Sequence, residues 1–314
     1  MIEHDVCVVG ASNMDLISYI PRLPVEGETL HGTEFRMGFG GKGANQAVMA
    51  AKLGANVAMV TKLGDDIFGK QTFRNFQKLG VDTGNVYFTK EAFSGVAPIS
   101  VDQKGKNSII IITGANDLLS IEDVKTAGNT IQSSNVMVCQ MEISVDISIS
   151  ALRIAKEAGV LTIFNPAPAR NDLPQEIYNL IDIISPNETE TEILTGIKIS
   201  NISDAEVAGQ VLVNRGVKTV IITLGEKGSM LITKDTKEYF QSDSVDVVDS
   251  TGAGDAFIGS LAISLAKGRP LSDSIVFANK IAAISVQAKG TQSSFPSITD
   301  LPDNVIKSLK EKIE

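Results

Sequence analysis

Two acids enclose a run of small residues in the stretch DSTGAGDAF, residues 249–257. The small residues 252–254 separate Thr251 from Asp255, and the apolar sequence AFIGSLAISLA that follows has helical periodicity. The first amides of a helix lack partners within it and carry partial positive charge, so small side chains there leave them open to an anion. The same helix end favours the ionised form of Asp255, which can then accept a proton from a hydroxyl group.

This arrangement predicts phosphoryl transfer to an alcohol, because a phosphate and a hydroxyl would meet at the helix start. The alternative interpretation is a tight strand-to-helix turn with an acidic first-turn residue, which needs no ligand.

Few residues are available for histidine- or cysteine-based chemistry. His4 and His31 are the only histidines, while Cys7 and Cys139 lie in separate strand-like apolar runs and indicate buried reduced thiols.

A second glycine-rich stretch, MGFGGKGANQAVMAAKLG, spans residues 37–54. It contains the G-x-G-x-x-G pattern as Gly38, Gly40 and Gly43, and the acids at 65–66 follow at about the spacing of a ribose-binding acid. A nicotinamide-dependent oxidoreductase is therefore an alternative. This alternative is disfavoured because the fingerprint does not follow the first strand, and because an oxidoreductase would leave TGAGD without a role. A P-loop is excluded, since glycine follows the lysine where Ser or Thr would bind magnesium.

The composition is that of a globular protein with an ample core. The chain has 314 residues, of which 43% are apolar and 21% charged, with a net charge of −9. No run of Lys or Arg supports a nucleic-acid partner. The N-terminal apolar run is too short for a signal peptide and no stretch of 18 apolar residues occurs, so we expect no membrane association and a cytoplasmic location.

Short strand-like runs alternate with helical stretches along the chain. This alternation predicts an α/β fold with a doubly wound, mainly parallel sheet flanked by helices. We expect helices at about 68–79 and 145–158. Residues 15–38 and 94–112 instead alternate like hairpins and are expected to pair into a small β-sheet that acts as a lid or a dimer contact; ordinary surface hairpins are the alternative. The strand-like runs are DVCVVG, NVAMVTKLG, NVMVCQME, LTIFNP, IDIISPNE, VKTVIITLGEKG and SVDVV.

Polar residues follow the predicted strands. The ligand crevice of an open parallel sheet lies outside the carboxyl ends of its strands, so we expect these residues to converge there. They are Asn13, Asp15, Glu142, Asn165, Asn187, Thr223, Gly225 and Asp249 to Asp255.

GGKGANQA at 41–48 and DSTGAGDAF at 249–257 together resemble the paired signatures of the ribokinase-like (PfkB-type) carbohydrate kinases. The resemblance covers nearly the whole chain in order, and implies a single α/β domain over 1–314 with a lid at about 15–38 and 94–112. The remaining matching segments are NMDL, GETLHG, NPAPA, NETE, TLGEKG and AAISVQAKGTQSSFP.

The lysine of GGKGAN and the sequence KGTQSS fit the branch of the family that phosphorylates ribose. The resemblance therefore implies transfer from ATP to O5 of D-ribose, giving D-ribose 5-phosphate, by a homodimer joined through the β lid. A sister kinase acting on deoxyribose, a ketose or a ribonucleoside is the nearest alternative. A catalytically silent sugar sensor is disfavoured because the expected base and anion hole are intact.

The resemblance assigns roles to particular residues. Asp255 would deprotonate the sugar hydroxyl, and the amides of Gly252, Ala253 and Gly254 would stabilise the transferring phosphoryl group. Residues expected to contact the sugar are Asn13, Asp15, Gly41, Lys42, Gly43, Asn45, Glu142 and Asp255. Residues expected to bind ATP are Asn187, Glu190, Thr223, Gly225, Glu226, Gly228, Gly254 and Asn279.

The resemblance also implies two cations. Mg²⁺ would be positioned with the phosphates near Asn187 and Glu190, chiefly through water. A monovalent ion, K⁺, would lie behind the anion hole on oxygen ligands. The matching residues are Asp249, Thr251, Ser285, Ala288, Gly290 and Ser294, several of which have only backbone oxygen to offer.

Overall fold

The fold is built on a nine-stranded sheet and a separate four-stranded sheet, as seen in a computed structural model that describes residues 2–104, 106–303 and 305–306. The strands are β1 (His4–Val9), β2 (Asn13–Tyr19), β3 (Glu34–Gly40), β4 (Val57–Gly64), β5 (Asp82–Thr89), β6 (Gly95–Val101), β7 (Asn107–Ile109), β8 (Ser134–Cys139), β9 (Leu161–Phe164), β10 (Ile183–Ile184), β11 (Thr219–Thr223), β12 (Gly228–Ile232) and β13 (Lys237–Gln241).

The helices that cover the large sheet lie between its strands in the sequence. They are α1 (Lys42–Lys52), α2 (Ile67–Lys78), α3 (Ile121–Thr126), α4 (Gly128–Gln132), α5 (Val145–Glu157), α6 (Gln175–Leu180), α7 (Glu188–Thr195), α8 (Ile202–Asn214), α9 (Ala253–Ala266) and α10 (Leu271–Ser285). Short 3₁₀ helices are Gly114–Leu118, Gly225–Lys227 and Ile298–Asp300. None of the described helices is both long enough and apolar enough to cross a membrane.

The large sheet is mainly parallel, as predicted. Its spatial order is β13-β12-β11-β10-β9-β8-β1-β4-β5, and β12 pairs antiparallel with both of its neighbours, β11 and β13, while the other pairs are parallel. The central strands are apolar along their length because helices cover both faces. The predictions of a doubly wound sheet and of helices near 68–79 and 145–158 are confirmed by this order and by α2 and α5.

Alternate residues of β1 enter two different cores. Val6 and Val8 pack in the core that contains α1, α9 and α10, whereas Cys7 and Val9 pack in the core that contains α5 and α8. This is the two-residue period of a strand covered on both faces. The two cysteines are free and buried in β1 and β8.

Helices α1 and α9 approach each other closely. A Cβ atom added at Gly259 on α9 would lie 2.6 Å from the Gln46 backbone oxygen and 2.7 Å from Met49 Cβ, both on α1. Only glycine fits at this distance. The contact sets the separation between the beginnings of the two helices, which carry the residues considered below.

The small sheet is formed by the two segments that alternate like hairpins. Its order is β3-β2-β6-β7, in which β2 pairs antiparallel with β3 and parallel with β6. The expected sheet is therefore present, with β2 and β3 joined by residues 20–33 and β6 and β7 forming the hairpin. Of the predicted lid, Gly105 lies outside the described residues, as do Met1, Asn304 and 307–314 of the predicted single domain.

The prediction of a strand at SVDVV is wrong. Residues 244–248 form no strand and pair with none among the described residues. The amides of Val248 and Asp249 donate instead to the Val286 carbonyl at the end of α10. Val247 and Val248 are 59% and 54% exposed. A run of β-branched residues is only a weak signal for a strand when no partner strand lies beside it.

The α1–α9 contact gives the first prediction. Gly259→Ala should lower the free energy of unfolding by about 1–3 kcal/mol, because the added methyl group has no room. Urea unfolding would measure this. Gly128→Ala on α4 is the matched control, since a Cβ there meets no atom within 4 Å. Equal stability of the two variants would contradict the packing argument.

Candidate active site

Polar side chains meet at the carboxyl ends of the parallel strands. Asn165, after β9, donates through Nδ2 to the Ser185 carbonyl after β10 at 2.9 Å, and its Oδ1 accepts from Gln46 Nε2 at 3.2 Å. Asn187 and Thr223 form a parallel bridge between the next two strand ends. The crevice expected from the sequence is therefore formed by neighbouring strand ends, beside the point where the chain order reverses about β1.

Helix α9 begins at this crevice with little side-chain cover. Gly252 is its N-cap residue in the left-handed conformation, with φ of 81°, and a Cβ there would lie 2.6 Å from Thr291 Cγ2. Gly254 has open space where a Cβ would be. The amide of Ala253 donates to Ser250 O at 3.2 Å, whereas those of Gly252 and Gly254 donate to no described residue. Two of the three predicted anion-binding amides are thus available in this structure.

Asp255 lies in the first turn of α9 and is only 6% exposed. Asn45 Nδ2 donates to its Oδ2 and Gln46 Nε2 donates to its Oδ1, both at 2.9 Å. Asn45 Oδ1 in turn accepts from Gln292 Nε2 at 3.1 Å, and Gln292 Oε1 accepts from Asn75 Nδ2 at 3.0 Å. Amide donors therefore hold both oxygens of the buried carboxylate, which keep further lone pairs for a ligand.

Three acids and one lysine share the crevice beside Asp255. Burial, together with the smaller effects of the Glu142 and Asp255 charges, raises the pKa of Asp15 to about 7. Burial also raises the pKa of Glu142, although the Lys42 ammonium and a 2.8 Å hydrogen bond from the Lys42 amide act in the opposite direction. Burial lowers the pKa of Lys42, but the charges of Asp255, Glu142 and Glu190 outweigh it and the net shift is upward. Lys42 is therefore held as a cation among carboxylates.

Asn116 was missed by the sequence analysis and fixes the start of the small sheet. It is 2% exposed, and its Nδ2 donates to Asn13 Oδ1 at 2.8 Å while its Oδ1 accepts from the Ser12 amide at 2.9 Å. The sequence analysis also missed three buried glutamines, Gln46, Gln140 and Gln292. The position of Gln140 directly after a strand was the same signal that identified Glu142.

Two adjoining cavities of about 810 and 150 Å³ flank the start of α9. The larger one contains most of the residues predicted to bind ATP, and the smaller one connects that side to Lys42 and Asp255. Predicted residues that line the larger cavity are Asn187, Thr223, Gly225, Glu226, Gly228, Gly254 and Asn279. Predicted residues that line the smaller cavity are Lys42, Asn187, Glu190, Thr223, Gly252, Ala253, Gly254 and Asp255.

The N-x-x-E pattern forms a capping box at the start of α7. Asn187 Oδ1 accepts from the Glu190 amide at 2.8 Å, and Glu190 Oε2 accepts from the Asn187 amide at 2.9 Å. Burial raises the pKa of Glu190, against the lowering effects of that hydrogen bond and of Lys42. Glu190 Oε1 has no partner among the described residues, so the pattern has a structural function and still leaves one carboxylate oxygen for the cavity.

The residues expected around a monovalent cation are only partly linked to one another. Asp249 accepts from the Thr251 amide through Oδ1 at 3.0 Å and from the Gly290 amide through Oδ2 at 2.9 Å. The Ser285 and Ser294 hydroxyls donate to carbonyls within their own turns, and no described contact joins them or Ala288 to Asp249. The described part of the chain contains no group of three or more His, Cys, Asp or Glu side chains arranged so that they could hold a metal ion.

The dinucleotide fingerprint is not formed. Gly38 and Gly40 lie on β3 of the small sheet and Gly43 lies within α1, so the three glycines do not form a single turn between a strand and a helix. Asp65 pairs with Lys70 at 2.8 Å, and Asp66 caps α2. The nicotinamide alternative therefore loses its structural basis.

Comparison with known proteins agrees with this arrangement. The model for the pfkB family carbohydrate kinases matches residues 3–298. The chain is 46% identical to a ribokinase of Mus musculus over 301 residues, which is 95% of this chain and 93% of that protein. It is 42% identical to a deoxyribokinase of Salmonella typhi over 294 residues, which is 94% of this chain and 96% of that protein.

A solved structure of Arabidopsis thaliana ribokinase complexed with ribose and ATP superposes with a TM-score of 0.88 at 33% identity, covering 98% of this chain and 99% of that one. The chain therefore belongs to the pfkB family of carbohydrate kinases, enzymes that transfer a phosphoryl group from ATP to a sugar.

Proposed function

We propose that the protein is an ATP-dependent ribokinase that phosphorylates D-ribose at O5. The observation that carries this proposal is the buried Asp255 carboxylate, held by two amide donors beside the open amides of Gly252 and Gly254. The relatives named ribokinase and the solved ribokinase with ribose and ATP support the choice of sugar.

The sugar would bind between the small sheet and the start of α1. Asn13 and Asp15 lie on β2 and Asn45 on α1, and all three are buried. Their amides and carboxylates suit the vicinal hydroxyls of a pentose. Glu142 anchors the first turn of α1 through the Lys42 amide, next to Gly41, whose φ of 87° and close approach to Ser12 and Asn13 exclude a side chain.

In the reaction, Asp255 accepts the proton of the O5 hydroxyl as O5 forms its bond to the γ-phosphorus. The bond from that phosphorus to the β–γ bridging oxygen breaks, and ADP leaves with the electron pair. Gly254 and Lys42 line the smaller cavity, where negative charge would develop on the phosphoryl oxygens.

ATP would occupy the larger cavity, with its phosphates toward α9 and its base toward Asn279 and the Thr223–Gly228 loop. The unpaired Glu190 Oε1, near Asn187, suits a magnesium ion held through water, because Mg²⁺ keeps several water ligands when it binds beside phosphate. When bound, the ion would neutralise phosphate charge.

We also propose a monovalent cation site, K⁺, behind the start of α9. The Asp249 carboxylate accepts hydrogen bonds from the Thr251 amide and from the Gly290 amide, and so links the segment before α9 to the loop at Gly290. The other expected ligands would supply carbonyl and hydroxyl oxygens. The donor set of Asp249, Thr251, Ser285, Ala288, Gly290 and Ser294 contains only oxygen, which suits a hard cation. The ion would order the loop that presents the amides.

The small sheet supports the proposal that two copies associate through the lid. Phe35 and Met37 on β3 are 59% and 54% exposed, and the segment at 109–112 presents four isoleucines that are 45–63% exposed. An apolar surface of this kind on a soluble enzyme is typical of an interface. The cytoplasmic location stays a prediction, with which the free, buried cysteines agree.

A deoxyribokinase is the second candidate, favoured by the 42% identity to such an enzyme. The two sugars differ only in the hydroxyl at C2. An enzyme that hydrogen-bonds this hydroxyl with buried groups rejects the sugar that lacks it, because those groups are left unpaired.

The function is tested by coupled assay with ATP and a set of D-ribose, 2-deoxy-D-ribose, D-fructose and ribonucleosides. D-Ribose should give the highest kcat/KM. Asp255→Asn should bind D-ribose normally by calorimetry and lose about 10²–10⁴-fold in kcat, the usual contribution of a general base. A higher kcat/KM for 2-deoxy-D-ribose than for D-ribose would identify the enzyme as a deoxyribokinase instead. Near-normal turnover by Asp255→Asn would show that Asp255 is not the base.

The anion site is tested by Gly254→Ala. A Cβ at this position meets no protein atom, so the free energy of unfolding should be unchanged or higher by up to about 1 kcal/mol. The methyl group would instead occupy space needed by the phosphoryl group, and kcat/KM for ATP should fall by about 10–100-fold, less than the roughly 10²–10³-fold cost of removing such a donor, because the Gly254 amide itself remains. Full activity of this stable variant would place the phosphates elsewhere.

The cation site is tested by Asp249→Ala, which should abolish stimulation by KCl relative to tetramethylammonium chloride. Asp246→Ala, an exposed acid in the same segment, is the charge-matched control and should keep the stimulation. Retained stimulation in Asp249→Ala would refute this placement.

A further inference from the structure

A buried amide pair extends from Asp255 into the core. Gln46 on α1 is 1% exposed and Gln140, directly after β8, is fully buried. Gln46 Nε2 donates to Asp255 Oδ1 at 2.9 Å and to Asn165 Oδ1 at 3.2 Å. Gln46 Oε1 accepts from Gln140 Nε2 at 2.6 Å. Every hydrogen-bonding atom of the Gln46 amide is therefore used.

The carboxylate determines the direction of these hydrogen bonds. An ionised Asp255 can only accept, so the NH₂ group of Gln46 faces it and Gln46 Oε1 faces Gln140. Gln140 must then donate, which turns its own oxygen away. Gln140 Oε1 accepts no hydrogen bond from the described part of the chain and is packed against Gly10, where an added Cβ would lie 2.1 Å from it.

An unpaired buried amide oxygen costs stability. If the pair served only to fill space between α1 and the sheet, an unbranched apolar side chain such as methionine would do so without that cost. What the amides add is a fixed donor aimed at one oxygen of Asp255. Asn45 holds the other oxygen, but it also lies among the predicted sugar contacts, whereas the Gln46 amide spends all its hydrogen bonds on Asp255, Asn165 and Gln140.

We propose that Gln46, oriented by Gln140, is a positioning residue that fixes the Asp255 carboxylate for proton transfer. This inference rests on the proposed function, in which Asp255 is the general base. Fixing the rotamer of a base matters because small misplacements of reacting groups cost large factors in rate. The pair should affect turnover and leave sugar binding unchanged.

The test uses the full-length enzyme with Gln46→Met, Gln140→Met and the double variant. We expect Gln46→Met to lower kcat by about 10–100-fold while the KM for D-ribose stays within about threefold. Gln140→Met should lower kcat by less, about 3–10-fold, because it acts through Gln46. The double variant should be no slower than Gln46→Met alone.

Ser148→Ala is the matched control. It removes a buried hydrogen bond to the Gln140 carbonyl, 3.1 Å long, without touching the amide pair, and should leave kcat unchanged even if stability falls. Gln46→Glu keeps the shape but places an oxygen against Asp255, and should lose at least as much kcat as Gln46→Met.

Measuring Asp255→Asn alongside separates the two hypotheses. If Asp255→Asn loses turnover but Gln46→Met does not, the positioning inference fails and the proposed function stands; if Asp255→Asn turns over normally, the proposed base fails. Independent, multiplicative losses from Gln46→Met and Gln140→Met, or a KM that rises as kcat falls, would assign the pair a structural role and overturn the inference.

Discussion

The structure depends on holding one buried carboxyl group in a fixed orientation close to the start of a helix. Asp255 is nearly inaccessible to water, and its charge is stabilised by amides from α1 and by the N-terminal end of α9. Both helices must lie close together for this, and Gly259 allows their backbones to approach. Packing between two helices thereby becomes part of the catalytic geometry.

The charges around this carboxylate are distributed so that sugar and phosphate meet at one place. Asp15 and Glu142 lie toward the small sheet, where burial raises their pKa values and hydroxyl ligands can share their protons. Lys42 and the two residues with open amides, Gly252 and Gly254, line the smaller cavity, where they would complement phosphate. Asp255 lies between the two groups. In the proposed function, Asp255 would contact the alcohol on one side and the positive groups would attract the phosphoryl donor on the other.

Much of this could be predicted from the sequence because the signals were local. The small residues before Asp255 and the polar residues after each strand indicated the crevice, and alternating apolar runs indicated the parallel sheet. The amide contacts to Asp255 could not be predicted, because Asn45 and Gln46 are 210 and 209 residues from it in the sequence, and Gln140 is a further long-range partner, 94 residues from Gln46.

The strand prediction for SVDVV was wrong for a related reason. The hydrogen-bond partner of this segment is the end of α10, which is brought there by tertiary structure. The N-x-x-E pattern was recognised through family resemblance, yet its capping function could have been derived from residue types alone. The residue types at the candidate site could therefore be identified from the sequence, whereas the tertiary contacts that orient their side chains could not.

The most direct test of the central claim is a crystal structure with D-ribose and a non-hydrolysable ATP analogue. The account predicts that one Asp255 oxygen lies within about 3.2 Å of O5, the reach of a general base. It also predicts that Gln46 still donates to that carboxylate and that the γ-phosphate oxygens face the Gly254 amide. A sugar whose O5 points away from Asp255, or a γ-phosphate remote from the start of α9, would contradict it.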